Sequence, residues 1–515
     1  MKCALLYPPF AHKIFNENLS TVDEEFGCFP YISFGYVARV MKNLGHQVQL
    51  FDAAATKLTY EEIRGQITVF NPDLISIPAH AVQTFPDALT WVKRIKNDLG
   101  IAILVGGYES TAYAQEIFSH CCFDFLLVGD IWKTLPLFLE VFEKGHGDYR
   151  TIPNFWYRDP NGVVRQCAVV NKGLAKVAFR EFALPDRSIF DHSLYYSHVS
   201  QRKYFTVGMS SIGCPYNCSY CCMATSSFEA RTPEQVLAEI EDCLKQGIHE
   251  IDWFDPLMFY DRGRIIEICS EIERRKLNII WSTRTRIDTL ALQGNKYPDE
   301  KFIEILARGG CRRLFMGIES GSDQILKNVH KGLELKNVSK IFDCANRHGI
   351  NLLGFFMIGN PGETKQTIKK TIKLAQELPL TYAQFSITVM KPHTELSSLY
   401  MESSLGYDYW KRWMRGEAQE MLLPSPWTTL TRAQLEHWTK FAYLQFYFRP
   451  SYILRTLLKI ESSRELWRYI KVAVKMLSRN FTEGVQYLIL KVKKMCKLQV
   501  TTKATPLTER STHLL

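Results

Sequence analysis

The sequence lacks the features of a membrane-spanning or disulfide-bonded protein. No stretch of its 515 residues is apolar and long enough to cross a bilayer, and the apolar run before Pro8 is too short for a secretory signal. The fourteen cysteines are scattered except around residues 214–222, which is not the pattern of a disulfide framework. No internal repeat is present. We therefore expect a protein of the reducing cytoplasm, with two to four domains because the chain is too long for one.

Three cysteines follow an apolar run that ends near Ser210 and reads as a strand. Cys214, Cys218 and Cys221 have the spacing Cys-x3-Cys-x2-Cys. Three thiolates so spaced can hold three irons of a [4Fe–4S] cluster and leave the fourth open, whereas an electron-transfer cluster normally has four cysteine ligands. The alternative is a structural zinc site, which uses four ligands, usually in paired Cys-x2-Cys units. No second pair lies nearby, so the pattern favours a cluster with one open iron.

The cysteine spacing, with Tyr220 directly before the third cysteine, resembles that of the radical S-adenosylmethionine (SAM) superfamily. The G-I-E-S-G and I-G-N-P-G-E-T segments are similar to the branch whose members carry an N-terminal cobalamin-binding domain. The resemblance covers roughly residues 1–395. Four later segments look like barrel strands of these enzymes in the expected order: 250–259, 279–288, 314–323 and 352–364.

The resemblance implies that SAM binds the open iron through its amine and carboxylate, and it suggests which residues touch SAM. Asp255 is the candidate partner of the amine, and Arg284 and Arg286, which alternate along a strand, are candidates for the carboxylate. The plainer interpretation of each is a salt bridge or packing residue at the barrel mouth. The other candidates contact the ribose or the adenine: Glu319 for the ribose, and Tyr220, Ile358, Gly359 and Pro361 for the adenine.

Cys222 adjoins the predicted cluster ligands. It is a candidate alternate ligand or catalytic thiol, but we favour a small buried apolar residue, the commoner fate of a free cysteine.

Residues 1–145 alternate short apolar strands with helical segments, which predicts a parallel sheet with helices on both faces. The predicted strands are Cys3–Tyr7, Gln47–Phe51, Leu74–Ile77, Ile101–Val105 and Phe125–Val128. The predicted helices lie at Phe34–Leu44 and around 86–98, 112–119 and 134–143.

The resemblance makes this half a Rossmann-like cobalamin-binding domain, with the cofactor at the carboxyl ends of the strands. The Asp-x-His-x-x-Gly motif that supplies a lower cobalt ligand in many cobalamin proteins is absent, as is usual in this branch. A second departure from the sequence pattern of these cobalamin-binding domains is the segment Val-Gly-Asp-Ile-Trp at 128–132. The alternative is a related scaffold without cofactor. The candidate cobalamin contacts are Pro8, Asp52, His80, Gly106, Gly107 and Gly129, with His80 able to approach cobalt or simply solvated.

We predict an α/β protein in which the Rossmann-like domain is followed by a partial (β/α)6 radical SAM barrel and a C-terminal α-helical domain. The connector contains a hairpin with its turn at Asp159–Gly162, and the last barrel strand is expected at Ala383–Val389. The predicted boundaries are 1–145 for the first domain, 146–200 for the connector, 201–398 for the barrel, 399–500 for the helical domain and 501–515 for a disordered tail.

The C-terminal part is rich in aromatic and basic residues. Its tryptophans either cap the barrel mouth and shape a substrate pocket or form the core of a small helical domain. Residues 451–500 hold eleven Lys and Arg against three Glu, a local net charge of +8, with leucines at helical spacing such as Leu454, Leu457 and Leu458. Such helices suit contact with an anionic membrane surface or packing on the barrel with a solvated basic face. The segment's tryptophans are Trp410, Trp413, Trp427 and Trp438.

A cobalamin domain fused to this barrel implies a C-methyltransferase that acts on an unactivated carbon of a hydrophobic lipid, isoprenoid, tetrapyrrole or secondary metabolite. The alternative is a radical cyclase or rearrangement enzyme without methyl transfer. The expected cofactors are the [4Fe–4S] cluster, SAM and cobalamin, and the expected electron donor is a flavodoxin or ferredoxin. We do not expect a nucleic-acid partner, because the extra cluster cysteines and RNA-binding module of the methylthiotransferases are absent. A non-enzymatic cobalamin carrier is disfavoured by the three retained cysteines.

Overall fold

The computed structural model describes residues 1–9, 27–79, 84–107, 112–128, 131–145, 148–168, 179–292, 297–401, 406–418 and 427–458. Met1–Leu19 and Phe26–Arg449 form one compact unit. A second unit comprises Ser20–Glu25 and Pro450–Leu515. Its described residues form one helix, and the predicted basic helices beyond residue 458 lie outside the described residues.

Residues 1–145 alternate strands and helices, as predicted, and the connector up to residue 200 adds three short strands. Helix α3 was not among the predicted elements, although Thr59 and Glu62 form a capping box at its start. The strands are β1 Lys2–Tyr7, β2 Gly27–Cys28, β3 Gln47–Asp52, β4 Leu74–Pro78, β5 Ala102–Gly106, β6 Phe125–Leu127, β7 Phe155–Arg158, β8 Val164–Gln166 and β9 Tyr196–Ser197. The helices are α1 Ser33–Asn43, α2 Ala53–Thr56, α3 Tyr60–Phe70, α4 Phe85–Leu99, α5 Ala114–Phe118 and α6 Ile131–Lys144.

Seven of these strands form one sheet in the order β3-β1-β4-β5-β6-β7-β8. The first five are parallel, because a crossover helix returns the chain to the same end of the sheet each time. The strand order reverses beside β1, so β1 and β4 flank the crevice where such sheets bind ligands. The connector hairpin is confirmed: β7 extends this sheet antiparallel to β6, and β8 pairs antiparallel with β7.

The second half of the chain builds a barrel-type sheet. Its strands fall where the sequence predicts them, and a helix follows each of the central ones. The strands are β10 Thr206–Gly208, β11 Ser211–Ile212, β12 Glu229–Ala230, β13 Glu250–Trp253, β14 Ile280–Thr285, β15 Cys311–Glu319, β16 Asn351–Ile358 and β17 Tyr382–Ile387. The helices are α7 Pro233–Lys245, α8 Arg262–Arg274, α9 Glu300–Arg308, α10 Asp323–Asn328, α11 Val338–Arg347, α12 Lys365–Glu377, α13 Glu395–Tyr400, α14 Tyr409–Met414, α15 Arg432–Tyr447 and α16 Pro450–Leu457.

Six parallel strands in sequential order, β10-β13-β14-β15-β16-β17, form this second sheet. The order matches the predicted partial (β/α)6 barrel, which leaves β10 and β17 as edges. Ligand sites of such barrels lie at the carboxyl ends of the strands.

A buried ion network joins the connector to the barrel near the β10 edge. Arg187 Nη2 donates to the Val207 carbonyl at 2.9 Å and to Glu239 Oε1 at 2.6 Å. Arg231 Nη1 donates to the other Glu239 oxygen at 2.5 Å. Removing one member would leave a buried charge unpaired, so the network fixes the connector against the barrel.

The segment after the last barrel strand returns to the first domain. Trp410 and Trp413 lie in the same apolar core as Phe85 and Ile117, and the ring of His120 contacts the Met414 carbonyl at 2.8 Å. These two tryptophans therefore belong to the core of the first domain. The predictions of a barrel cap and of a separate helical core are both wrong for them.

Helix α15 covers the β17 edge. The Tyr443 hydroxyl accepts the Phe385 N–H at 3.1 Å, and the Tyr447 hydroxyl accepts the Ala383 N–H and donates to its carbonyl. Unpaired edge groups are a template for aggregation, and here tyrosines from a helix satisfy them. Among the described helices, none has the length and apolar character that a bilayer crossing requires.

Candidate functional site

The three predicted cluster ligands lie in a loop that is pinched at its base. Strands β11 and β12 pair antiparallel across the loop entrance. Gly213 has φ +79°, and a Cβ there would meet the Ser227 carbonyl oxygen at 1.9 Å. Only glycine fits this close approach, so the loop of residues 213–228 is a closed structure on the end of β10.

The loop of residues 213–228 carries all three predicted cluster ligands. Cys218 is buried, Cys214 and Cys221 are half-buried, and all thirteen described cysteines are free thiols. Burial raises the pKa of Cys214, and the nearby Cys218 thiol adds to the rise. Burial also raises the pKa of Cys221, to which Cys218 and Cys214 contribute. The three thiols influence one another electrostatically, although their sulfur atoms do not all lie within 4.8 Å of one another, and they stay the predicted ligands.

Hydrogen bonds within the loop and from neighbouring segments hold its backbone. The Cys214 N–H donates to Ser226 Oγ at 2.8 Å, and the Cys221 N–H donates to the Cys218 carbonyl at 3.1 Å. Ser219 bonds on both sides: its N–H donates to the Val329 carbonyl, and its carbonyl accepts the Leu396 N–H. These hydrogen bonds hold the loop against the segments that carry Val329 and Leu396.

Cys222 is exposed, so the prediction of a small buried apolar residue is wrong. The neighbouring Cys221 is half-buried, and the next residue along this turn faces solvent.

Tyr220, Glu319 and Lys331 form a triangle beside the cysteines. The Tyr220 hydroxyl donates to Glu319 Oε1 at 2.9 Å, and Lys331 Nζ lies 2.9 Å from the same oxygen and 3.2 Å from the hydroxyl. Glu319 and Lys331 are each 8 % exposed as side chains. Glu319, the last residue of β15, has φ +66°, a left-handed conformation that is strained for a residue other than glycine. The contact of Glu319 with the SAM ribose stays a prediction.

Arg284 and Arg286 differ more than the sequence pattern predicts. Strand β14 ends at Thr285, so the two arginines do not share one strand face. Arg284 forms a two-pronged pair with Asp252 at 2.7 and 3.1 Å and lies over the Phe254 ring.

Arg286 instead lies against the cysteine loop, with its Nη1 3.8 Å from Cys218 Sγ. Both arginines are near the mouth of the barrel, and their contact with the SAM carboxylate stays a prediction.

Asp255 is fully buried, and its carboxylate already has hydrogen-bond partners. It accepts hydrogen bonds from the Ser210 N–H at 2.7 Å, from Ser210 Oγ at 2.5 Å and from Ser211 Oγ at 2.6 Å. Burial raises its pKa, which these hydrogen bonds and the charge of Arg264 oppose. Its visible role is to hold the turn between β10 and the cysteine loop. The predicted bond to the SAM amine stays a prediction and would need these partners to rearrange.

The loop after β16 is also tightly held. Glu363 accepts the N–H groups of Gly359 and Asn360 at 2.5 and 3.0 Å, and its second oxygen is buried. Burial raises the Glu363 pKa to about 7. The Trp427 indole donates to the Gly359 carbonyl at 2.8 Å. Ile358 is buried and Pro361 half-buried within this loop, and their predicted adenine contact remains untested.

Four of the candidate cobalamin residues lie at the carboxyl edge of the first sheet. Pro8 is buried beyond β1. Asp52 caps α2 through the Ala55 N–H and accepts the Tyr195 hydroxyl at 2.8 Å, so it serves the fold locally. Gly106 ends β5, and Gly107 has φ +132° with the Ala79 backbone 2.8 Å from where a Cβ would lie.

The other two candidate cobalamin residues, His80 and Gly129, lie outside the described residues. All six cobalamin contacts stay predictions.

Two residues of the site were missed from the sequence. Lys331 comes twelve residues after Glu319, past a helix, and nothing in its surrounding K-N-V-H-K-G marks it as a partner of that carboxylate. Asp288 stands two residues after Arg286, a spacing that could have suggested the ion pair they form at 2.8 Å.

Comparison with known proteins identifies both halves of the chain. The model of the radical SAM superfamily matches residues 210–375, which include the cysteine loop and most of the barrel. The model of the B12 binding domain matches residues 22–138, which include most of the first sheet.

Two relatives match over most of the chain. An uncharacterized methyltransferase of Pyrococcus horikoshii is 27 % identical over 83 % of this chain and 89 % of its own length. The anaerobic magnesium-protoporphyrin IX monomethyl ester cyclase of Rubrivivax gelatinosus is 23 % identical over 72 % of this chain and 66 % of its own.

A solved structure shares the fold. The radical SAM methyltransferase TsrM of Kitasatospora setae, solved with cobalamin and a [4Fe–4S] cluster bound, superimposes with a TM-score of 0.60. The match has 16 % identity and covers 78 % of each chain. The chain therefore contains a B12-binding domain followed by a radical SAM domain, as the sequence predicts, and these two domains imply a [4Fe–4S] cluster, SAM and cobalamin as its cofactors.

Proposed function

We propose that this enzyme is a C-methyltransferase that acts on an unactivated carbon of a hydrophobic small molecule, such as a lipid, a tetrapyrrole or a secondary metabolite. When bound, the cluster and SAM supply hydrogen-atom abstraction and cobalamin supplies the methyl group. The chain supplies the binding surfaces, their orientation and the exclusion of water.

The observation that carries the proposal is that the carboxyl edges of the two sheets meet. Phe29 follows β2 in the connection from β1 to α1, Phe254 follows β13, and their rings lie 5.7 Å apart. Tyr113 follows β5, His393 follows β17, and their rings lie 5.4 Å apart. Cofactors held at these two edges would face a common space, and methyl transfer between them requires such a space.

The chemistry of this junction favours an apolar substrate. Phe29 also packs against Phe205 at 5.5 Å, and Tyr7 stacks on Tyr31 at 5.0 Å. Phe254 is still 36 % exposed. Aromatic rings with one open face provide large apolar contact area and bind flat or aliphatic molecules.

We also propose an electron donor and a membrane contact for this enzyme. A one-electron donor, such as a flavodoxin or ferredoxin, would reduce the cluster. Contact of residues 451–500 with an anionic membrane surface would give access to a lipid substrate. In its support, Leu454, Leu457 and Leu458 are 61 %, 53 % and 79 % exposed.

The test is anaerobic reconstitution with iron, sulfide and cobalamin, followed by incubation with reductant, SAM carrying a deuterated methyl group, and extracts of apolar metabolites. We expect 5′-deoxyadenosine and S-adenosylhomocysteine together with a product that carries the deuterated methyl. The control replaces Cys214, Cys218 and Cys221 by alanine and should form neither nucleoside product. Production of 5′-deoxyadenosine with an unlabelled product would contradict methyl transfer.

The second candidate is a radical cyclase, which the likeness to the Rubrivivax gelatinosus enzyme favours. In that case a tetrapyrrole substrate would gain a ring, 5′-deoxyadenosine would form, and S-adenosylhomocysteine would stay at background.

A further inference from the structure

A buried guanidinium lies beside one of the predicted cluster ligands. Arg286 Nη1 is 3.8 Å from Cys218 Sγ, within range of an N–H···S hydrogen bond. The Arg286 side chain is 9 % exposed, and Cys218 is buried. A permanent positive charge and an N–H donor thus lie at a ligand sulfur, away from water.

The other nitrogens of Arg286 are held by other partners. Nε donates to Asp288 at 3.0 Å, and Nη2 donates to Asp288 and to the Lys331 carbonyl, each at 2.8 Å. The guanidinium also lies 3.8 Å from the centre of the Tyr216 ring. Because the Nε and Nη2 edge is occupied, the Nη1 group is the one left to face the sulfur.

A second buried cation reinforces the field at the cysteines. Lys331, whose carbonyl holds Arg286, turns its own Nζ to Glu319 and Tyr220. Two buried cations, Arg286 and Lys331, therefore lie beside the cysteine loop.

We propose that Arg286 is a positioning residue of the cluster that favours its reduced state through the N–H···S contact to Cys218 and through its charge. Hydrogen bonds to the sulfurs and net charge set the potentials of such clusters. The step concerned is the uptake of one electron by the cluster from a flavodoxin-type or ferredoxin-type donor. Arg286 stays protonated throughout, and no bond to it forms or breaks. The inference concerns the cluster alone, so it does not depend on which group the enzyme transfers.

The experiment is a redox titration of the full-length protein, reconstituted with iron and sulfide without SAM or cobalamin and followed by electron paramagnetic resonance. For Arg286→Gln we expect the equilibrium constant for reduction to fall about tenfold, which for a one-electron couple is about 59 mV toward more negative potential. Arg286→Lys should fall between this variant and the wild type.

The matched control is Arg262→Gln. Arg262 also pairs with a carboxylate, Asp299, and lies over an aromatic ring, that of Phe302, but its contacts are with the barrel helices. Its midpoint should equal that of the wild type. If Arg286→Gln retains full iron and sulfide with an unchanged midpoint, Arg286 is only structural and the proposal is overturned.

A second variant tests the proposal if the Arg286 variants fail to assemble a cluster. Asp288→Asn keeps the arginine and removes its counter-charge, so the midpoint should move to more positive potential. An unchanged or more negative midpoint in Asp288→Asn would overturn the proposal.

Discussion

Lys331 anchors the buried charges around Glu319. Both side chains are 8 % exposed, and the lysine lies 2.9 Å from the carboxylate. For Lys331→Met we expect a loss of about 3 kcal/mol in the free energy of unfolding, because the glutamate stays buried without its partner. SAM affinity should also fall, since Glu319 and Tyr220 lose their common contact.

Urea denaturation and equilibrium binding of SAM under anaerobic conditions would measure these two effects. The control is Lys336→Met, at a lysine that is 69 % exposed and paired with Glu334, which should leave both quantities near the wild-type values. Equal behaviour of the two variants would contradict the role given to Lys331.

Glu363 makes stability depend on pH. Its pKa rises from the usual 4.5 to about 7 in the folded protein because it is buried. The contribution of the neutral Glu363 carboxyl to the free energy of unfolding is fully present below pH 4.5. It is lost as the pH rises to about 7, because the carboxyl ionises at a lower pH in the unfolded chain than in the folded protein.

The variant Glu363→Gln cannot ionise, so it does not lose this stability as the pH rises. Its free energy of unfolding relative to the wild type should rise by up to about 3 kcal/mol between acidic and mildly alkaline pH. Chemical denaturation at several pH values measures the difference, and parallel pH profiles of the two proteins would show that Glu363 does not titrate as proposed.

At the scale of elements, α15 closes an open sheet edge. The hydroxyls of Tyr443 and Tyr447 bond the backbone of Phe385 and Ala383 on β17. Replacing both tyrosines by phenylalanine should lower the free energy of unfolding by about 2 kcal/mol, since each buried backbone partner is left without its bond.

Hydrogen–deuterium exchange at the Ala383 and Phe385 amides should quicken in the double variant. Tyr407→Phe serves as the control, because Tyr407 is 42 % exposed and should leave β17 exchange unchanged. Unchanged exchange in the double variant as well would show that the hydroxyl bonds do not protect the edge.

Elements with regular periodicity were predictable, and their contacts were not. Strands such as Leu74–Pro78 are short apolar runs between helices, so alternation alone identifies them. The cysteine loop was predictable because its spacing is itself the chemical requirement. Lys331 was not, since a contact between residues far along the chain leaves no periodic trace. Strand β14 ends at Thr285, so Arg286 lies beyond the strand and does not share a strand face with Arg284. The ends of strands are the part of a sequence pattern that is predicted least accurately.

At the scale of the whole molecule, the first domain is completed by residues that follow the barrel. Trp410 is fully buried in the core that contains Phe85 and Ile117. We expect Trp410→Ala to cost about 3–5 kcal/mol and to lower retention of cobalamin, although Trp410 lies far along the chain from the B12-binding segment.

Bound cobalamin is measured by its visible absorbance after gel filtration. The matched substitution is Trp438→Ala on α15, where the indole packs with His437 and Phe441. That variant should retain cobalamin even if it is less stable. Loss of cobalamin from both variants, or from neither, would contradict a specific role for the returning segment.

The return of residues 409–418 to the first sheet also constrains synthesis on the ribosome. The first domain leaves the exit tunnel early, yet the tryptophans that complete its core emerge only after the barrel has been made. At about 5–20 residues per second, the nascent domain waits on the order of tens of seconds without them. During this interval the emerging chain is a natural client for a chaperone, and the N-terminal half expressed alone should be poorly soluble.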